Sequence, residues 1–205
     1  MNAKKHASPS IPESLSFLPG TSAYMELPRS VVSDARLYIY SLNLMGQAVK
    51  NHEMALLLFT QMMDKKIPCD VIVTIEAKAI ALAQELAVLL GHETYIVLRK
   101  SMKAYMQNAH CVTVHSITTE AKQLLFLDGR DAQLLRSVKY PVFLDDVIST
   151  GASFNAANQL LQAGGCNPLD VCVCVATEGL YLEHNPHHYI RLGHLPLYSF
   201  DGESV

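Results

Sequence analysis

Pro141-Val142-Phe143-Leu144-Asp145-Asp146-Val147-Ile148-Ser149-Thr150-Gly151-Ala152-Ser153 is the stretch on which the fold turns. A short apolar run ends in two adjacent carboxylates, a turn bearing hydroxyls and a glycine follows, and an amphipathic stretch from Phe154 to Ala163 begins at once. The pattern predicts a buried strand delivering two acids to its carboxyl end, then a loop that opens a helix. Free amides at a helix start, with Ser and Thr hydroxyls and a glycine that permits close backbone approach, form a cup for phosphate. Carboxylates do not favour phosphate itself; beside such a cup they suit sugar hydroxyls or a magnesium ion attached to it. The plainer alternative is a strand–turn–helix whose acids solvate a strand end and whose hydroxyls cap a helix.

Outward from this segment, the 205 residues suit one α/β domain with an appended arm or flap. Half the residues are apolar, enough for a sizeable core, and no run approaches a membrane span. A net charge of −3 argues against a general nucleic-acid binder. Lys4 and Lys5 are not followed by an apolar core and a small-residue cleavage site, so no secretory signal is read. Five cysteines (Cys69, Cys111, Cys166, Cys172, Cys174) lack paired metal spacing. They fit a reducing cytoplasm, with Cys172 and Cys174 as buried strand thiols.

Residues 1–23, with Pro9, Pro12, Pro19 and Gly20 among serines, read as an N-terminal arm, partly ordered; residues 24–205 read as a single domain. Leu37 to Tyr40 is a candidate strand, and Gln47 to Lys66 has helical spacing. Asp70 to Ile75 reads as a buried strand, Ala77 to Leu90 as a helix closed by Gly91, and Thr94 to Leu98 as a strand. Cys111 to Ile117 and Gln123 to Leu127 alternate as an antiparallel pair, and Asp128-Gly129-Arg130-Asp131 as a turn and helix start. Val171 to Val175 is a further strand. Strands alternating with helices imply a parallel sheet covered on both faces, with ligands beyond the carboxyl ends of the strands.

Two more segments fall at that edge. Glu76-Ala77-Lys78-Ala79 follows one strand, where backbone amides and a lysine can meet an anion; alternatively it is a helix start with Glu76 on the dipole and Lys78 solvated. Arg99-Lys100-Ser101-Met102-Lys103 follows another, a basic cluster that is either solvated or the countercharge for a multiply charged anion. His184, His187 and His188 surround Asn185-Pro186 as a surface turn with no fourth metal ligand in view. His52 and His194 read as structural, with His194 also open to a dimer contact or a base.

Together the three segments resemble the phosphoribosyl-pyrophosphate (PRPP) sites of the type I phosphoribosyltransferases, in the purine branch and its adenine-enzyme-like members. The resemblance runs loosely from about Tyr24 onward, and Thr177-Glu178-Gly179 and Leu192 to Leu197 also look like the tail of those proteins. It implies an α/β fold with a central parallel sheet flanked by helices, a hood, a flap at about 101–127 and, within the flap, a mobile loop at roughly 101–120. Asp145 and Asp146 would hold the ribose hydroxyls, and Val147, Ser149, Thr150, Gly151, Ala152 and Ser153 the 5′-phosphate. Glu76, Ala77, Lys78, Arg99, Lys100 and Lys103 would handle pyrophosphate, Tyr105 would come from the mobile loop, and Asp146 and Arg99 would be catalytic.

The implied cofactor is Mg²⁺, held mainly through PRPP, and the implied assembly is a homodimer. The implied activity is transfer of the phosphoribosyl group from PRPP to a purine base, adenine favoured, in purine salvage. A hypoxanthine-, guanine- or xanthine-specific enzyme is the near alternative, since Ser149-Thr150 is shared with such enzymes where adenine enzymes often carry Ala-Thr. The other alternative is a non-catalytic PRPP- or nucleotide-sensing regulator of the same fold; the short arm leaves no room for a helix-turn-helix module. Ala79 stands where glycine is usual, and Glu120 is the nearest acid to the one adenine enzymes carry in the mobile loop.

Overall fold

Val71–Ile75, Pro141–Ile148 and Val171–Glu178 run side by side, and their alternate side chains enter two separate cores. The computed structural model describes residues 11–17, 24–33, 35–114, 123–179 and 188–204. In chain order the elements are β1 (Ser14–Phe17), β2 (Met25–Val32), β3 (Leu37–Tyr40), α1 (Ala48–Asp64), β4 (Val71–Ile75), α2 (Ile80–Leu89) and β5 (Ile96–Leu98). There follow β6 (His110–Val114), β7 (Gln123–Leu127), α3 (Gly129–Leu135), β8 (Pro141–Ile148), α4 (Ala152–Ala163), β9 (Val171–Glu178), β10 (His188–Leu195) and β11 (Tyr198–Ser199).

The central sheet has the order β10-β9-β8-β4-β5, with every pairing parallel. On one face Ile72, Val142, Leu144, Val173 and Val175 meet Met54 and Leu58 of α1 and Leu82 and Leu86 of α2. On the other, Val71, Val73, Phe143, Cys172 and Cys174 meet Leu135 of α3 and Phe154 and Leu160 of α4. Each fully buried Leu, Ile or Phe here contributes about 1.5–3 kcal/mol by leaving water. Phe143 and Phe154 add an edge-on ring contact, 5.6 Å between centroids at 70°. Cys172 and Cys174 are core residues, as expected, and burial pushes both thiols up.

The strand order reverses between β4 and β8. From β4 the chain crosses through α2 on one face to β5, whereas from β8 it crosses through α4 on the other face to β9. The loops after β4 and β8 therefore diverge and leave a crevice beyond the two carboxyl ends. The expected fold class holds.

A second, antiparallel sheet, β1-β2-β3-β11, forms the hood, and β6 and β7 form a separate hairpin. Three strands of the hood were not legible in the sequence: β1, β2 and the two-residue β11. β1 lies inside the stretch expected as an arm: Ser14–Phe17 pairs with Met25–Pro28, and Phe17 packs so closely on β10 that a Cβ at Gly193 would lie 2.4 Å from its ring. Four residues between prolines are too few to display an alternation of period two. β2 carries Pro28, which reads as a break. Pro28 sits just past the last β2–β3 pair, Arg29 with Tyr40, where its carbonyl accepts from Ser41 N–H at 3.0 Å and its missing donor is not needed.

The predicted helix Ala77–Leu90 starts three residues later, at Ile80, because the turn before it is taken up by the crevice. Asp128 caps α3 as expected, its Oδ1 accepting from Arg130 N–H at 3.0 Å. His184 and His187 lie outside the described residues. Among the described residues no helix is long and apolar enough to cross a membrane.

Candidate functional site

The carboxylates at the end of β8 are held by the backbone that follows them. Asp145 Oδ1 accepts from Asp146 N–H at 2.9 Å, and Asp146 Oδ1 accepts from Val147 N–H at 3.0 Å. Asp146 is nearly fully buried, yet its Oδ2 has no hydrogen-bond partner; Lys78 Nζ stands 3.6 Å away. Burial, and next the neighbouring Asp146 charge, push the Asp145 carboxyl well above the usual range. An acid pair in this state accepts hydroxyl donors readily and tolerates two full charges poorly.

The turn beyond it is shaped by Gly151, whose φ of +70° suits glycine and starts α4 as its N-cap. The first-turn amides of α4 have no carbonyl of their own helix to bond, and the helix dipole adds partial positive charge there. Val147, Ser149, Thr150, Gly151, Ala152 and Ser153 line a cavity of about 200 Å³, joined by Gln123 of β7. A second cavity, about 230 Å³, is lined by Glu76, Ala77, Lys78, Lys100, Asp145 and Asp146 and shares Val147 and Ser153 with the first. The two cavities adjoin in the crevice at the strand reversal: one is an uncharged cup, the other is walled by the acid pair together with Lys78 and Lys100.

On the lysine side Glu76 is an organiser of cations. Its Oε1 accepts from Lys100 N–H at 2.5 Å, and its Oε2 lies 3.1 Å from Arg99 Nε. Lys103 Nζ is 3.8 Å from Oε1 and donates to Ser101 Oγ at 2.6 Å. Arg99 and Lys103, both expected to face pyrophosphate, line neither cavity; they are turned toward Glu76. Arg99 is also tied through its backbone to Phe126 of β7, with bonds of 2.9 and 2.8 Å. The Glu76–Ala77 peptide is cis. Ala79 has φ −91° and ψ 4°, outside the left-handed region, so alanine in place of glycine carries no backbone strain there.

The segment expected to open the mobile loop is docked over part of its length. Met106 is buried, and Gln107 carbonyl accepts from Gly129 N–H at 3.0 Å. Gly129 is required at that approach, since a Cβ would lie 2.4 Å from the same carbonyl oxygen. Tyr105 is exposed and lines neither cavity. Glu120 lies outside the described residues.

Two residues of the cleft region had no role in the sequence reading. Glu178 ends β9; burial raises its carboxyl, opposed by the Ser149 hydroxyl and by Lys78. Gln123 opens β7 and reaches the cup. The signal for Glu178 was its place at the end of a strand expected to lie in the same parallel sheet. His194, by contrast, faces Thr177 Oγ1 at 3.2 Å, which also accepts from Arg191 Nη1 at 2.5 Å, and lines neither cavity. Among the described residues no group of three or more His, Cys, Asp or Glu is placed to hold a metal ion.

No family model and no curated protein sequence matches the chain. Solved structures do. Adenine phosphoribosyltransferase from Thermoanaerobacter pseudethanolicus superposes with a TM-score of 0.61 at 16% identity, over 74% of this chain and 84% of that one. The adenine enzyme of Giardia lamblia, complexed with 9-deazaadenine, gives 0.58 at 14% identity, over 88% and 92%. That of Trypanosoma brucei, in complex with AMP, pyrophosphate and ribose-5-phosphate, gives 0.58 at 14% identity, over 74% and 67%. This is the type I phosphoribosyltransferase fold. Within that fold the cleft described above occupies the crevice at the strand reversal, beyond the carboxyl ends of β4 and β8.

Proposed function

We propose that this protein transfers the 5-phosphoribosyl group of PRPP to a purine base, with adenine the favoured acceptor. The observation that carries the reading is the pair of adjoining cavities, an uncharged cup at the start of α4 and beside it a cavity lined by Asp145, Asp146, Lys78 and Lys100. PRPP carries the groups these two cavities suit: a phosphate monoester for the cup, and two hydroxyls and a diphosphate for the acids and lysines. The bound products in the Trypanosoma brucei enzyme of the same fold support it.

In this reaction a bond forms between a ring nitrogen of the base and the anomeric carbon, the bond from that carbon to pyrophosphate oxygen breaks, and the base nitrogen loses its proton. The amides of residues 151–153 and the Ser149 and Thr150 hydroxyls anchor the 5′-phosphate. Asp145 and Asp146 accept hydrogen bonds from the ribose hydroxyls and orient the ring, so that the developing positive charge on the sugar is met in one geometry. Lys78 and Lys100 neutralise the departing diphosphate, while Glu76 keeps Arg99, Lys100 and Lys103 grouped beside it.

The donor set fits Mg²⁺ entering with the diphosphate, since that ion takes few protein carboxylates and several phosphate oxygens. Asp146, with its unpartnered Oδ2, is the protein group best placed to approach the ion or its water. When bound, Mg²⁺ supplies countercharge to the leaving group.

The test is to incubate the protein with Mg²⁺, PRPP and, separately, adenine, hypoxanthine, guanine and xanthine, assaying pyrophosphate and nucleoside monophosphate. Product with adenine above the others is expected. Product with another base alone reassigns the acceptor. The orientation of Arg99 toward Glu76 favours one second reading, a PRPP-sensing regulator. Tight PRPP binding with no product from any base would establish it.

A further inference from the structure

Gln123 is the one described residue lining the anion cup that does not belong to the run 147–153. The other lining groups are backbone amides, small side chains and the hydroxyls of Ser149, Thr150 and Ser153; none of the described lining residues is charged. A phosphate dianion in such a cup depends on the number of neutral donors aimed at it. Gln123 has an amide with two donor hydrogens and comes from a different element, β7. It is the first residue of β7, paired with Val114 in the hairpin, and the hairpin packs on α4, whose N-terminus forms the cup. Three residues along β7, Phe126 is bonded to Arg99 on the lysine side. The same short strand is thus fastened by its backbone to the segment after β5. In the adjoining cavity the Asp146 side chain is 6% exposed and its Oδ2 has no hydrogen-bond partner, an acceptor able to take a hydroxyl donor.

We propose that Gln123 is a specificity-determining contact, donating a hydrogen bond from its side-chain amide to the phosphate monoester of a sugar phosphate bound in the cup. The proposal rests on the donor-site reading above and adds a residue from the hairpin to it. Gln123 selects phosphorylated over unphosphorylated sugars by adding a donor from outside the run 147–153.

The experiment compares the full-length protein with Gln123→Met, which keeps the length and removes the amide, and Gln123→Glu, which keeps the shape and adds a negative charge. Ribose 5-phosphate and pyrophosphate are titrated calorimetrically into each, and Tm is measured alongside. Loss of one neutral hydrogen bond should weaken ribose 5-phosphate by about 3- to 10-fold in Gln123→Met. Like charge should weaken it by more than about tenfold in Gln123→Glu. Pyrophosphate affinity and Tm should not change in either, an outcome a merely structural role would not produce. Wild-type affinity for ribose 5-phosphate in both variants, or an equal loss for both ligands, overturns the Gln123 contact alone. A wild-type protein that binds no ribose 5-phosphate overturns the donor-site reading and the contact with it.

Discussion

Lys78 Nζ lies 3.6 Å from Asp146 Oδ2, tying the turn after β4 to the end of β8 across the crevice. The lysine is largely exposed and the acid is not, so the acid is the partner that depends on the pair. Lys78→Met and Asp146→Asn should each lower kcat/KM for PRPP by about a hundredfold or more. Because the two act on one charge distribution, the double variant should lose much less than the product of the two single losses. Steady-state kinetics on the four proteins checks this, and fully multiplicative losses would show that the pair is not coupled.

Glu76 holds two cations, Arg99 and Lys103, and the Lys100 backbone amide by one carboxylate. Glu76→Gln should release Arg99 and Lys103 and raise the KM for PRPP with a smaller change in kcat. Arg99→Ala, which lines neither cavity, should reduce turnover through Glu76 and Lys100, and adding it to Glu76→Gln should change little further. The comparison is a kinetic double-mutant cycle. An Arg99→Ala loss that persists undiminished in the Glu76→Gln background would mean that Arg99 touches the ligand itself.

Asp145 is held protonated more readily in the fold than in the unfolded chain, by burial first and then by Asp146. A carboxyl with a raised folded pKa contributes stability that is fully present below its unfolded value near 3.8 and is lost as pH rises through the raised folded value. Asp145→Asn should therefore be more stable than the parent at pH 7, with the difference shrinking toward pH 4, while PRPP turnover falls. Thermal melts at a series of pH values decide it; a lower Tm for the variant at neutral pH would contradict the sign.

The contact of Phe17 with Gly193 predicts a stability effect away from the cleft. Gly193→Ala forces its Cβ into the Phe17 ring and should cost about 1–3 kcal/mol. In a Phe17→Ala background the same change should cost close to nothing, since the ring is gone. Chemical denaturation of the four proteins reads this coupling directly, and an undiminished cost in the Phe17→Ala background would place the strain elsewhere.

The sequence by itself determined what is local in this protein. Asp145 to Ser153 are contiguous, and their acids, glycine and hydroxyls were legible as a strand end, a turn and a helix start. The alternation of Val173 and Val175 with Cys172 and Cys174 likewise announced a strand covered on both faces. The tertiary structure decided what depends on strands lying side by side. Only the parallel pairing of β8 with β4 and β9 brings Lys78 to Asp146 and Glu178 to Ser149, and only hairpin packing on α4 brings Gln123 to the cup. Arg99 read as a free cation at a strand end because a linear pattern contains charges but no partners. Its pairing with Glu76 is set by the adjacency of β4 and β5, where Glu76 N–H bonds to the Leu98 carbonyl at 3.0 Å. Spacing along the chain encodes which residues reach the carboxyl edge of the sheet; lateral hydrogen bonding decides which of them meet there.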